Sequence, residues 1–192
     1  MSGSLILIRH GETAWSLSGK HTGTTDISLT EHGKSLASAL SSAVPHDPDL
    51  VLCSPLTRAV ETAALAGLVV TRTEPDLVEW NYGDYEGRTT ADIRADLNDP
   101  SWLIWNHPIP NGEQLDDVAI RVDRVIAEVL PTVTEGGTAV LVAHGHVLRI
   151  LTARWLGLEP ICGRLFALEP ATISTLGFEH EQRVITRWNT PA

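Results

Sequence analysis

Two histidines, two arginines and one glutamate stand in segments that could assemble a phosphoryl-transfer site. Arg9-His10-Gly11-Glu12-Thr13 follows the apolar run Leu5-Ile6-Leu7-Ile8, placing an imidazole beside a cation and a flexible glycine. Ser54-Pro55-Leu56-Thr57-Arg58-Ala59 follows Leu50-Val51-Leu52-Cys53, and Ala143-His144-Gly145-His146 follows Thr138-Ala139-Val140-Leu141-Val142. Glu79 opens the acidic, aromatic stretch Glu79-Trp80-Asn81-Tyr82-Gly83-Asp84-Tyr85-Glu86-Gly87. Phosphoryl transfer requires an in-line nucleophile, stabilised equatorial oxygens and a proton for the leaving oxygen. A neutral His10 could attack through one ring nitrogen while the other donates a hydrogen bond that fixes the tautomer. Arg9 and Arg58 carry permanent, planar cations suited to phosphoryl oxygens, and a helix N-terminus beside Arg58 would add to anion binding. Glu79 is the candidate to protonate the leaving oxygen and then activate water. His144-Gly145-His146 has no cysteine or carboxylate at ligand spacing beside it, so neither a metal nor another cofactor is expected.

These groups need a frame that brings strand exits together. Strands alternating with helices predict a mainly parallel sheet covered on both faces, with ligands at the C-terminal strand edge. Thr30 reads as the N-cap of a helix carrying Leu36, Leu40 and Val44. Ser54-Pro55 reads as an N-cap and first helical position of a helix that Gly67 ends. A helix over 113–130 carries the stripe Leu115, Val118, Ala119, Val122, Ile126, Val129, and its face with Asp116, Asp117, Arg121, Asp123 and Arg124 reads as solvated. Another helix follows His144 and closes at Gly157. Thr172 to Phe178 and Arg183 to Trp188 predict a hairpin.

The 192-residue length suits a single domain over residues 1–192. A formal charge of −10 argues against nucleic acid and anionic membranes as partners, so the cations needed for a phosphate must be gathered in one pocket. No apolar stretch approaches the roughly 20 residues of a membrane span. The N-terminus lacks the basic and apolar regions of a secretory signal, and the two cysteines, Cys53 and Cys162, read as reduced thiols. A cytoplasmic protein is expected.

Together with His21-Thr22-Gly23-Thr24-Thr25-Asp26-Ile27-Ser28-Leu29-Thr30 and Asn111-Gly112-Glu113, these motifs resemble, in order, the histidine phosphatase superfamily. The likeness is to the branch of cofactor-dependent phosphoglycerate mutases and their phosphatase relatives. It implies a three-layer α/β/α sandwich with a mainly parallel central sheet, a phosphohistidine on His10 and a phosphate-contacting His144. It further implies substrate contacts from Ser16, Thr22, Gly23, Tyr82, Gly145 and His146. Ser16 departs from the asparagine many members carry there, and its shorter side chain offers one donated hydrogen bond. The mutases have a longer, basic insertion after the acid-bearing loop. Here about 25 residues separate Gly87 from Glu113, with Arg88 and Arg94 as cations and Trp102 and Trp105 as a lid or as core. That favours a phosphatase acting on small phosphorylated sugars or acids. The aromatic-rich loop resembles actinobacterial mutase-like acid phosphatases and fungal sedoheptulose bisphosphatases. The alternatives are a phosphoglycerate mutase and a non-catalytic phosphate-binding protein. A homodimer follows from family analogy alone.

Overall fold

Apolar runs flanked by turn residues form the strands of one six-stranded sheet in the computed structural model, which describes residues 3–192. The strands are β1 (Ser4–Arg9), β2 (Leu50–Cys53), β3 (Arg72–Thr73), β4 (Thr138–Ala143), β5 (Thr172–Glu179) and β6 (Gln182–Pro191). Their order is β3-β2-β4-β1-β5-β6, with the first four parallel and the C-terminal hairpin antiparallel. The helices are α1 (Ala14–Leu17), α2 (Glu31–Ala39), α3 (Thr57–Leu65), α4 (Thr90–Leu97), α5 (Leu115–Thr134) and α6 (Gly145–Trp155).

Strands buried on both faces carry near-continuous apolar runs because each face needs its own cover. Leu5, Leu7, Leu52 and Leu141 join the α5 and α6 side chains and Trp80, Trp102 and Trp105 in one cluster. Ile8, Val51, Val140 and Val142 join Leu40, Ala59 and Ala63 in another, which also packs Leu36. The result is the expected α/β/α sandwich. It brings the ends of β1, β2 and β4 side by side, so His10, Ser54 and His144 emerge along one edge.

Three local expectations need correction. Ser54 does not cap α3. Leu56 occupies the cap position without a side-chain bond, and Asp26 supplies the acceptor from a distant loop, taking Thr57 N–H at 2.9 Å and Thr57 O–H at 2.6 Å. Helix α5 runs past residue 130, through Pro131, to Thr134; Gly136, at φ 96°, marks the turn beyond it. Arg121, read as solvated, is only 7% exposed and binds Glu113 and the Asp76 carbonyl.

Trp102 is fully buried and Trp105 is 7% exposed, so both belong to the core rather than to a free-standing lid. Trp102 packs edge-on against Tyr85 at 5.1 Å. Truncating it with Trp102→Ala is expected to cost about 3–5 kcal/mol. For a chain this size that is a Tm fall on the order of 10 °C, measurable by calorimetry.

Candidate active site

His10 lies just beyond β1, its backbone N–H bonded to the Ala143 carbonyl at 2.9 Å. Its Nδ1 faces the Gly11 carbonyl at 2.7 Å, and a carbonyl only accepts, so Nδ1 carries the proton. Nε2 is then the unprotonated nitrogen of a neutral ring. Burial, reinforced by the Arg9 and Arg58 cations, pushes the His10 pKa well below the ordinary 6.5. The ring is therefore a nucleophile over the neutral range.

Arg9 anchors its Nη1 on the Leu168 carbonyl, while its Nε is buried without a hydrogen-bond partner among the described residues. A buried, unpaired guanidinium nitrogen is costly, and an anion in the adjacent cavity would relieve that cost. Gly145 makes room for it: a Cβ there would sit 3.3 Å from the Arg9 Cζ.

Arg58 lies in the first turn of α3, just past β2, as its sequence context suggested. It is fully buried and commits four of its five N–H groups to the chain. Three go to the carbonyls of Thr22, Gly23 and Thr25, and Nε–H donates to His144 Nδ1 at 3.1 Å. Because a guanidinium only donates, His144 carries its proton on Nε2, which meets Ser54 Oγ at 2.7 Å. Burial and the Arg58 cation hold His144 well below its usual pKa, so it is neutral here. Arg58 shapes the 22–25 loop and fixes the tautomer of His144. The His144 ring stands 5.1 Å from the His10 ring, centroid to centroid.

Glu79 is 5% exposed. Its carboxylate accepts Trp80 N–H at 3.0 Å, His146 N–H at 2.9 Å and Val147 N–H at 2.9 Å. The last two are amides of the first turn of α6, where the helix dipole favours negative charge. The N-termini of α6 and α3 are thus filled by carboxylates of the chain, Glu79 and Asp26, and that of α1 is capped by Thr13. Charge for a phosphoryl group must come from side chains.

The rest of the acidic loop holds the site together. Glu86 accepts Thr24 N–H at 3.0 Å and Thr25 O–H at 2.9 Å. Gly23 lets the loops approach, since a Cβ would lie 2.2 Å from the Glu86 carboxylate and 2.3 Å from the Trp80 carbonyl. Gly23→Ala is expected to push the 22–25 loop off Arg58 and lower kcat/KM at least about tenfold, on the principle that small misplacements are expensive. Steady-state kinetics check this. Glu113, in the Asn111-Gly112-Glu113 motif, braces Asn81 N–H at 2.9 Å and Arg121.

Arg9, His10, Ser16, Thr22, Glu79, Tyr82, Gly145 and His146 line one cavity of about 180 Å³. That is smaller than the roughly 300–1,000 Å³ of drug-sized sites, and suits a small ligand. Gly23, Arg58 and His144 are not on its wall and act from behind it. Tyr82 O–H and His146 Nδ1 meet at 2.6 Å. Ser16 lies on the wall, but its hydroxyl proton goes to the Thr13 carbonyl at 3.0 Å while its Oγ accepts Thr13 N–H, closing the capping box of α1. Its hydroxyl proton is thus engaged within the chain in this arrangement. Lys20, His21, Arg149 and Leu168 also line the cavity and were not singled out from sequence. Arg149 had a readable signal, sitting one helical turn after His146. Among the described residues no cluster of His, Cys, Asp and Glu is placed to hold a metal ion, and no helix is long and apolar enough to cross a membrane.

Three cavity histidines and His144 behind them share one electrostatic consequence. Burial holds His10, His144 and His146 well below 6.5 and lowers His21 to about 4. Below about pH 6.5 the unfolded chain takes up protons that the folded chain refuses, so stability falls as pH falls. The Tm is expected to drop between pH 7 and pH 5, with a shallower slope in His21→Asn. A flat profile would contradict the neutral assignment.

Comparison with known proteins identifies the family. The sequence profile of the Histidine phosphatase superfamily (branch 1) matches residues 5–191. An acid phosphatase of Mycobacterium tuberculosis is 42% identical over 93% of this chain and 88% of its own. A sedoheptulose 1,7-bisphosphatase of Saccharomyces cerevisiae is 32% identical over 80% of this chain and 67% of its own. 2,3-Bisphosphoglycerate-dependent phosphoglycerate mutases match as well. The solved structure of the Rv3214 open reading frame of Mycobacterium tuberculosis superposes with a TM-score of 0.93 at 39% identity, covering 100% of this chain and 99% of that one. The chain belongs to the histidine phosphatase superfamily, branch 1.

Proposed function

We propose that the protein hydrolyses phosphate monoesters of small metabolites through a phosphohistidine on His10. The observation that carries this is the His10 tautomer: with Nδ1–H on the Gly11 carbonyl, Nε2 is free to attack. In the first step the ester enters as its monoanion and passes its proton to the Glu79 carboxylate; Nε2 then forms a bond to phosphorus, the ester P–O bond breaks, and Glu79 delivers that proton to the leaving oxygen. In the second, Glu79 takes a proton from water, the oxygen of that water bonds to phosphorus, and the P–N bond breaks to release inorganic phosphate. Arg9, with its unpartnered Nε, takes the charge on the transferring group.

The cations between the acidic loop and α5 support hydrolysis over isomerisation. Arg88 pairs with Asp96, and Arg94 donates to the Trp102 carbonyl at 2.9 Å, so both are engaged in local structure. Neither lines the cavity, so the segment between the acidic loop and α5 contributes no basic residue to the site, unlike the longer basic insertion of the mutases. The reading places the protein in the cytoplasm, where phosphorylated metabolites are found, and leaves a homodimer to family analogy.

The test is phosphate release from a panel of phosphorylated sugars and acids, run beside isomerisation of 3-phosphoglycerate in the presence of 2,3-bisphosphoglycerate. Release without isomerisation is expected. Isomerisation outpacing release would establish the mutase instead, and binding without either activity would establish a phosphate-binding protein.

A further inference from the structure

Arg149 is a cavity cation that the phosphoryl chemistry leaves unused. It lies on α6 one turn beyond His146 and lines the same wall. Its guanidinium is held rigidly: Nε–H donates to the Gly163 carbonyl at 3.2 Å, Nη2–H to the Arg164 carbonyl at 3.0 Å, and the plane lies over Trp105 at 4.8 Å. Only Nε and Nη2 make hydrogen bonds among the described residues, and the carboxylate that acts on the group through space is Glu79, with which it forms no ion pair. The cavity contains Arg9, Lys20 and Arg149 as cations against the single carboxylate of Glu79. Glu79 is already satisfied by three backbone amides. A phosphoryl group on Arg9 would therefore leave a half-buried, pre-positioned arginine with no directly paired carboxylate, and a partly desolvated cation of that kind favours an anion.

The geometry points to Arg149 as a specificity-determining residue that binds a second anionic group of the substrate, separate from the phosphoryl group transferred to His10. The substrate class is then a small phosphate monoester with a carboxylate or a second phosphate about three carbons away or fewer, given the small cavity. A guanidinium with one free nitrogen edge and a fixed plane discriminates such a group from a hydroxyl by charge-assisted hydrogen bonding. This inference rests on the hydrolytic reading for its kinetic test, but not for its binding test.

The probes are three esters on one three-carbon skeleton: 3-phosphoglycerate, glycerol 1,3-bisphosphate and glycerol 3-phosphate. They present a carboxylate, a second phosphate and a hydroxyl respectively. Wild-type kcat/KM is expected to favour at least one of the two doubly anionic esters over glycerol 3-phosphate by about tenfold or more. Which one leads tells carboxylate from phosphate. In Arg149→Ala that preference should fall at least about fivefold, chiefly through KM, and Arg149→Lys should recover part of it. Equal losses for all three esters would show that Arg149 only braces residues 163–164 and Trp105, and would overturn the inference. So would a wild-type protein with no preference. If none of the esters is hydrolysed, calorimetric Kd values for the same three ligands decide the point: the same preference, lost in Arg149→Ala, upholds the subsite even as the hydrolytic reading fails.

Discussion

His10→Ala is expected to lower phosphate release by on the order of a thousandfold or more, while the variant still binds inorganic phosphate. The size follows from what alanine removes. Without Nε2 no covalent intermediate can form, and water must attack directly, helped only by the charge and orientation that Arg9 and Glu79 still supply. The anion-binding groups do not depend on the imidazole. Arg9 is anchored on the Leu168 carbonyl, and Arg58 holds the 22–25 loop from behind through its carbonyls. Phosphate-induced stabilisation in a thermal melt should therefore survive the substitution. Turnover at the original rate would remove His10 from the mechanism.

Glu79→Gln is expected to reduce turnover of alkyl phosphates about 100- to 10,000-fold, the range for losing a positioned general acid. The loss should shrink markedly with p-nitrophenyl phosphate, because nitrophenolate departs without a proton. That contrast separates proton transfer from structure. Glutamine keeps one acceptor oxygen but places an amide where His146 N–H now donates to Oε2 at 2.9 Å. An unsatisfied amide of this kind costs about 1–3 kcal/mol, so a modest fall in Tm accompanies the kinetic defect. Equal losses on both ester types would mean that Glu79 only positions the first turn of α6.

The elements of this fold were legible because its strands are buried on both faces and its helices carry apolar stripes. Leu5–Ile8 and Thr138–Val142 announce β1 and β4, and the stripe from Leu115 to Val129 announces α5. The cavity's chemical groups were legible too, since strand ends in a parallel sheet must converge. Partnerships across the chain were not. The cap of α3 comes from Asp26, 31 residues before the group it binds, and nothing local to Ser54 reveals that. The tautomer of His144 is set by Arg58, 86 residues away. Ser16 was assigned to phosphate from its place in a motif, yet its hydroxyl is taken by Thr13 three residues earlier. That capping box, Thr13 followed by Ser16, could have been read from spacing alone. Arg121 shows the same limit in reverse: a charged face reads as solvated until a buried acceptor such as the Asp76 carbonyl is known.

The central claim is that phosphate passes through the Nε2 atom of His10. Its most direct test is to quench the enzyme during turnover of a ³²P-labelled ester and map the label by peptide analysis. The expected result is a label that is stable in alkali, labile in acid, on the peptide carrying His10, and absent from His10→Ala. Phosphate release at full rate with no such label, or with the label on another residue, would contradict it.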